Sequence, residues 1–169
     1  YAQTTFGPQQ VIIQSETNGA WTVYAADLDG DGDLDILSAS QDDDKIAWYE
    51  NDGTGSFGAQ QIITTDANGS YNGFATYAAD LDGDGDIDVL SASAGDNIIA
   101  WYENDGAGNF GAKQIITTIA NGVQSVYTID LDGDGDKDVL SASSYDDKIA
   151  WYENDGTDNF GVQQIISIS

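Results

Sequence analysis

The sequence of 169 residues contains no cysteine, no histidine, no methionine and no arginine. Its four basic residues are all lysines, set against 30 aspartate and glutamate residues, so the formal net charge is −26. Without thiolate or imidazole side chains, the chain cannot build the usual zinc sites, a cysteine nucleophile or a triad with histidine as its base. Most familiar catalytic chemistry is therefore excluded, and we expect a protein that is not an enzyme.

The shortage of positive charge also limits the possible partners. Phosphate binding needs a basic footprint, which excludes nucleic acid and anionic membrane surfaces. No apolar run approaches the roughly 20 residues of a membrane-spanning helix, which predicts no membrane insertion. Hydrophobic residues nevertheless make up 40% of the chain and aromatic residues 11%. That is enough to bury a core, so the acidity does not indicate a disordered tail.

One unit of about fifty residues occurs three times along the chain. Residues 26–40 are repeated at 79–93 and 129–143, and corresponding positions in successive units are 53 and 50 residues apart. A tryptophan-containing segment, residues 46–53, is repeated with the same two offsets. A third motif, Phe-Gly-x-x-Gln-Ile-Ile, occurs four times, beginning at Phe6, Phe57, Phe110 and Phe160, with Val for the first Ile in the first copy. The copy at the N-terminus is therefore surplus.

Short β-branched and aromatic runs within each unit are separated by clusters of Gly, Asn and Asp, which is typical of strands joined by tight turns. In the first unit we predict strands at residues 22–26, 36–40, 46–50 and 60–64. The Asp-Gly steps supply the positive φ angles that tight hairpins need. Four antiparallel strands per unit, with no helical period, predict an all-β chain of three propeller blades.

We divide the chain into an N-terminal spare strand with its connection (residues 1–20), blade 1 (21–66), blade 2 (67–119) and blade 3 (120–169). Propellers close with about 4 to 8 blades, so three blades cannot form an ordinary ring alone. Two chains can complete a six-bladed ring, the chain can be part of a longer protein, or the blades can form an open array. The spare strand at residues 6–13 needs an edge to pair with, so we predict self-association, which gives a fibre if head-to-tail contacts stay open.

An acidic loop follows the first predicted strand of each unit and holds five aspartates in nine residues. The three loops contain half of all acidic residues: Asp27, Asp29, Asp31, Asp33 and Asp35; Asp80, Asp82, Asp84, Asp86 and Asp88; Asp130, Asp132, Asp134, Asp136 and Asp138. Like charges a few Å apart repel by about 1 kcal/mol per pair even in water. We therefore expect a cation to neutralise each loop.

The spacing of these aspartates indicates calcium. Carboxylates at positions 1, 3 and 5, followed by Gly at position 6, match the first half of an EF-hand loop, and an Asp at position 9 can close the site. We assign Asp27, Asp29, Asp31 and Asp35 as side-chain ligands and Asp33 as a backbone-carbonyl ligand. Matching residues in the other loops predict about three calcium ions per chain. All-oxygen coordination suits calcium better than magnesium, which retains several waters.

Two other interpretations of the loops stay open. Asp-Gly-rich segments also form good hairpin turns on a soluble surface, which requires no metal. Two carboxylates can instead serve as the general acid and base of a glycosidase. Against that reading, the same carboxylates recur in every unit, whereas an enzyme seldom replicates its active site in each repeat.

Taken together, these motifs resemble the FG-GAP/VCBS repeat of integrin α-subunit propellers, bacterial extracellular proteins and some fungal lectins. The resemblance rests on Asp-x-Asp-Gly-Asp-Gly-x-x-Asp, then Ile-Ala-Trp-Tyr-Glu-Asn-Asp-Gly, then Phe-Gly, over residues 6–166. It implies a four-stranded blade per repeat, with a calcium-binding loop between the first two strands and the same fifteen aspartates as ligands. It also implies an extracellular or cell-surface location and adhesion or recognition of a glycan or protein. The alternative is a structural subunit that assembles through its spare strand.

The aromatic residues of the repeat have two interpretations. Trp48, Trp101 and Trp151 can form the core between blades or act as sugar-stacking platforms, and the core is favoured because both faces of a propeller sheet are covered. Trp21 has no tryptophan counterpart in the other units, so it is a candidate for a surface contact or for peripheral packing.

Two further features lie in connecting segments. The acidic turns at residues 42–44 and 146–147 predict solvated loops, with a second metal site as the alternative. Asn68-Gly69-Ser70 matches the N-glycosylation sequon.

Overall fold

Short strands separated by turns rich in glycine and aspartate build the described structure. The computed structural model describes residues 9–12, 17–68 and 74–168, and these residues contain twelve strands and no helix. The strands are β1 (Ala20–Ala26), β2 (Asp35–Ser40), β3 (Lys45–Tyr49), β4 (Gln61–Thr64), β5 (Phe74–Ala79), β6 (Asp88–Ser93), β7 (Ile98–Tyr102), β8 (Gln114–Thr117), β9 (Val123–Ile129), β10 (Asp138–Ser143), β11 (Lys148–Tyr152) and β12 (Gln164–Ile168).

Each repeat forms its own four-stranded antiparallel sheet. The strand orders are β1-β2-β3-β4, β5-β6-β7-β8 and β9-β10-β11-β12, so every strand pairs with its neighbour in sequence. We call these sheets blades 1, 2 and 3. The predicted all-β architecture of three four-stranded blades is confirmed, and the predicted strands of the first unit lie within two residues of β1 to β4.

The predicted spare strand at residues 6–13 falls largely outside the described residues. Its described part, residues 9–12, forms no strand. Pairing of this segment with another chain therefore stays a prediction, as do the four segment boundaries.

Backbone turns with positive φ set the hairpins between the second and third strands. Asp44, Asn97 and Asp147 occupy the same position in the three blades, with φ angles of 52°, 63° and 52°. Asp and Asn tolerate this left-handed region better than other residues with a Cβ, because their short polar side chains bond locally. The hairpin connection is thus encoded separately in each repeat.

The hydrophobic core lies between blades. We call the side of a blade that faces the next blade its leading face and the opposite side its trailing face. The leading face of blade 1, including Leu37 and Trp48, packs on the trailing face of blade 2, including Val89 and Tyr102. The leading face of blade 2 packs in the same way on blade 3. Trp48 and Trp101 are fully buried there, which confirms the core interpretation for both.

The first strands of the three blades, β1, β5 and β9, lie side by side. Tyr24 and Tyr77 have ring centroids 4.9 Å apart, and Tyr77 and Tyr127 have centroids 5.1 Å apart. Burial raises the pKa of Tyr77 well above its ordinary value, and the neighbouring Tyr24 adds to the effect. Between the same strands, the hydroxyl oxygens of Thr22 and Thr76 are 3.0 Å apart and share a hydrogen bond. The blades therefore follow one another around a common inner edge, as in a propeller.

The remaining sequence features occupy the surface. Lys45 pairs with Asp43 at 2.9 Å and Lys148 with Asp146 at 2.8 Å, so ion pairs partly neutralise the two acidic turns. Trp21 is half exposed. Asn68 is described, whereas Gly69 and Ser70 of the sequon are not. The described residues include no helix long and apolar enough to cross a membrane.

Candidate metal centres

The acidic loop of each blade connects its first two strands and folds around its own carboxylates. In blade 1, Gly30 and Gly32 have φ angles of +77° and +95°, which L side chains rarely adopt. The two bends turn the backbone N–H groups of both glycines toward Asp27, which accepts them at 2.9 and 3.0 Å. The Asp-Gly alternation of the sequence thus holds the first carboxylate of the loop in place.

The last aspartate of each loop begins the second strand and is completely buried. Asp35 accepts hydrogen bonds from the backbone N–H groups of Leu28 and Asn51, both at 2.9 Å. Asp88 and Asp138 make the corresponding pairs of bonds in blades 2 and 3 at 2.8 to 2.9 Å. This carboxylate ties the acidic loop to the loop between the third and fourth strands.

Three aspartates in each loop bring carboxylate oxygens within 4.8 Å of one another. The clusters are Asp27, Asp29 and Asp35; Asp80, Asp82 and Asp88; and Asp130, Asp132 and Asp138. Nine of the fifteen predicted ligands are therefore gathered by their side chains. Among the described residues, no other group of three or more carboxylates is gathered in this way.

The two middle aspartates of each loop lie outside the clusters. Asp31 accepts the backbone N–H of Asp33 at 2.8 Å, and Asp84 and Asp134 make the same bond. The carboxylate of Asp33 lies against Gly53, where an added Cβ would be 2.4 Å from Oδ2. The structure therefore does not bring Asp31 into the cluster by its side chain. Its role as a ligand stays a prediction, as does that of the Asp33 carbonyl.

Burial and mutual repulsion disfavour the ionised form of several cluster members. Desolvation raises the pKa of Asp88 to about 7, with Asp82 and Asp84 adding repulsion while backbone hydrogen bonds oppose it. Burial likewise raises the pKa of Asp35 and of Asp82. A bound cation would reverse this preference, because it stabilises the carboxylates it contacts.

The clusters fit a calcium ion on chemical grounds. All the gathered donors are carboxylate oxygens, the ligand type that hard divalent cations prefer. The backbone hydrogen bonds to Asp27 and Asp35 fix these side chains before any ion arrives and leave a lone pair on each oxygen. The residues present therefore suit the group that the loop pattern predicts.

Hydrogen bonds from asparagine side chains to the preceding blade were not predicted from the sequence. Asn104 donates from Nδ2 to the carbonyl oxygen of Leu28 in the preceding blade at 2.7 Å, and Asn154 donates to that of Leu81 at 2.7 Å. Sequence reasoning treated the Asn-Asp-Gly segments only as turns. The recurrence of Asn at the same position of each repeat was the available signal. These amides link the acidic loops of blades 1 and 2 to the blade that follows each.

The whole chain matches a known family of repeats. The model for the FG-GAP-like repeat matches four overlapping segments, residues 1–38, 27–91, 80–141 and 130–169. The chain belongs to the FG-GAP-like repeat family. Successive segments overlap at residues 27–38, 80–91 and 130–141, which include the acidic loops. The resemblance found from the sequence motifs is thereby confirmed.

A similar fold occurs in a fungal lectin. The solved structure of an Agrocybe aegerita lectin, described for its specific recognition of non-reducing terminal N-acetylglucosamine, aligns with a TM-score of 0.64 and 25% sequence identity. The alignment covers 86% of this FG-GAP-like chain and 38% of the lectin chain, so this chain spans well under half of that protein. No curated protein gives a significant match.

Proposed function

We propose that this FG-GAP-like chain is a non-enzymatic, calcium-stabilised recognition module that acts outside the cell or at its surface. The observation that carries the proposal is the presence of one carboxylate cluster at the same position in every blade. An enzyme needs one catalytic pair of carboxylates, which would differ from the corresponding residues of the other repeats. A structural ion, in contrast, is needed in every repeat. Three calcium ions would reduce the formal charge of the chain and hold each acidic loop against its sheet.

The chemistry of the sites supports the proposed extracellular location. Loops with three gathered carboxylates, one buried and two at least partly exposed, suit the modest affinities of extracellular calcium modules, for which millimolar calcium is needed. Cytosolic calcium would leave such sites largely empty. Membership of the FG-GAP-like family supports the same location.

Ion counting tests the metal part of the proposal. We expect native mass spectrometry and isothermal titration calorimetry to give about three calcium ions per chain at millimolar calcium, with weaker uptake of magnesium. The protein should first be stripped with EDTA and exchanged into chelator-free buffer. No uptake of calcium by the folded, stripped protein would contradict the proposal.

The ligand that we propose is a glycan. The lectin with a similar fold supports this choice, and so do two open grooves at the junctions between blades. One, of about 350 Å³, is lined by Trp48, Gln61, Ile62, Gly108, Asn109 and Phe110. The other, of about 380 Å³, lies between residues 115–119 and 160–163. The first groove presents mostly polar surface and the second mostly apolar surface, and a sugar presents both kinds of surface.

A glycan array followed by calorimetry tests this part. We expect binding of glycans with a free non-reducing end, and Gln61→Ala should weaken binding at the first groove. Gln164→Ala is the matched control, because Gln164 occupies the equivalent position in blade 3 and lines neither groove. Equal affinity in both variants would place the ligand elsewhere. If no glycan on the array bound while calcium uptake stayed intact, glycan recognition would be rejected. The proposal of a calcium-stabilised module would remain.

A further inference from the structure

Three tyrosines, one from each blade, form a row along the inner edge of the molecule. Tyr24, Tyr77 and Tyr127 occupy the same position in β1, β5 and β9, each paired with a leucine of the second strand of its blade. The ring centroids are 4.9 Å apart for Tyr24 and Tyr77 and 5.1 Å apart for Tyr77 and Tyr127. We call these three residues the tyrosine row.

The phenol groups of the tyrosine row also lie close to one another. Burial raises the pKa of Tyr77, and the hydroxyl groups of Tyr24 and Tyr127 raise it further. Tyr77 is partly buried between its two neighbours, whereas Tyr127 is 48% exposed. The row therefore has an end that solvent reaches, at Tyr127, and a central member whose ring contacts two other phenols.

The composition of the chain directs oxidation toward its aromatic side chains. Cysteine and methionine, the side chains with the best-developed oxidation chemistry, are absent, and so is histidine. Trp48 and Trp101 are buried in the core between blades. A one-electron oxidant is thus left with the tyrosines and the more exposed tryptophans. In the tyrosine row, an oxidised phenol has a second phenol beside it.

We propose that Tyr77 and Tyr127 form an oxidative cross-linking site, at which a dityrosine bond joins blades 2 and 3 covalently. The co-reactant is hydrogen peroxide, with a haem peroxidase as catalyst. Each phenol gives up one electron and the proton of its O–H group, and the two radicals form one C–C bond between ring carbons next to the C–O groups. The hydrogen on each of these carbons then moves to the phenol oxygen. The peroxide takes up the two electrons and two protons and becomes two water molecules.

The geometry favours coupling of this pair within one chain. A radical formed at the exposed Tyr127 has the ring of Tyr77 only 5.1 Å away. A phenol of another molecule must instead approach against the repulsion between two chains of net charge −26. Because Tyr77 and Tyr127 are 50 positions apart in the sequence, the bond closes a long loop and restricts the unfolded chain, as a disulfide does in other proteins. The reaction needs neither calcium nor a glycan, so its outcome is independent of the proposed function.

Peroxidase treatment followed by peptide mapping tests the proposal. The folded chain is treated at low concentration and low salt, where repulsion between chains is least screened, and the monomer is isolated and digested with trypsin. The chain has four lysines and no arginine, so Tyr77 and Tyr127 fall in different peptides, residues 46–113 and 114–137. We expect these two peptides to be joined, with a mass two hydrogens below their sum. Fragmentation should place the link at Tyr77 and Tyr127.

Phenylalanine variants separate cross-linking from packing, because phenylalanine keeps the ring but lacks the phenol hydroxyl. Tyr77→Phe should abolish the joined peptides, and Tyr127→Phe should do the same, so the test does not depend on one variant folding well. Tyr24→Phe is the matched control, because it changes the same row but leaves Tyr77 and Tyr127 intact. This control should keep the link.

Two results would overturn the proposal. One is a peroxidase-treated monomer without dityrosine, including the case in which the bond forms only between molecules. The other is an undiminished yield of the joined peptides in Tyr77→Phe, since the link would then involve a different tyrosine.

Discussion

Asn104 in blade 2 donates a hydrogen bond to the carbonyl oxygen of Leu28 in blade 1, across 76 residues of sequence and at 2.7 Å. The same amide also donates to the carbonyl of Ile87 in its own blade at 2.9 Å. Both contacts belong to a buried side chain, so removing it would leave backbone carbonyls without a donor. This one residue connects its own blade to the acidic loop of the preceding blade.

We predict that Asn104→Ala lowers the free energy of unfolding by about 1 to 3 kcal/mol, the usual cost of leaving buried polar groups unpaired. Urea denaturation followed by circular dichroism measures the loss. Asn109→Ala is the control, because Asn109 is exposed and bonds only to Asp105 within the same turn. A loss of equal size in the two variants would contradict an inter-blade role for Asn104.

Substitutions within one acidic loop test whether only the aspartates of the carboxylate cluster bind calcium through their side chains. Asp82 belongs to the cluster of blade 2, whereas the side chain of Asp86 lies against Gly106, where an added Cβ would be 2.5 Å from its oxygens. We predict that Asp82→Asn reduces the number of bound calcium ions by one and that Asp86→Asn leaves it unchanged. Native mass spectrometry counts the ions. Loss of an ion in Asp86→Asn would mean that this carboxylate, and not only its backbone carbonyl, is a ligand.

Removal of calcium should lower the thermal stability of the chain. In about 10 mM calcium, 100 times a Kd of about 0.1 mM, an ion that binds only the folded state contributes about 2.7 kcal/mol per site. For a protein of this size, each kcal/mol shifts Tm by roughly 2 to 4 °C, so we expect EDTA to lower Tm by roughly 5 to 11 °C for each site emptied. Scanning calorimetry in calcium and in EDTA measures the shift, and EDTA saturated with excess calcium is the control. An unchanged Tm would reject calcium as a structural ion.

The sequence predicted most of the fold because each repeat encodes its own local structure. The strands of blade 1 follow from β-branched runs, and the turn at Asp44 follows from the tolerance of Asp for positive φ; both effects act within a few residues. The positions of Asp27 and Asp35 followed from loop spacing alone. The bond from Asn104 to Leu28 did not, because nothing local distinguishes a turn asparagine from one that reaches the next blade.

The side chains outside the clusters mark a second limit of sequence reasoning. The alternation of aspartates predicted that Asp31 would join Asp27 and Asp29. Instead, the carboxylate of Asp31 accepts the backbone N–H of Asp33 and lies outside the cluster, although Asp29 accepts the N–H of Asp31 in the same way and lies inside it. Spacing specifies which residues are near the site, but the path of the whole loop decides which carboxylates meet.

Close contact between a glycine and a tryptophan gives a last prediction. Gly108 of blade 2 lies on the Trp48 ring of blade 1, and a Cβ added to Gly108 would be 2.4 Å from the ring carbon Cζ2. Gly55 is the equivalent residue of blade 1 and also has positive φ, yet a Cβ there would meet nothing within 4 Å. Alanine at either position strains the backbone by a similar amount, so only Gly108→Ala adds a steric clash between blades.

We therefore expect Gly108→Ala to be more destabilising than Gly55→Ala by about 1 to 3 kcal/mol, the usual cost of overpacking a core. Both should be measured by urea denaturation in the same buffer. The intrinsic fluorescence of the Gly108 variant should also change, because Trp48 must shift to make room. Equal stabilities would mean that the ring moves aside at no cost. The junction between blades 1 and 2 would then be less tightly packed than the burial of Trp48 indicates.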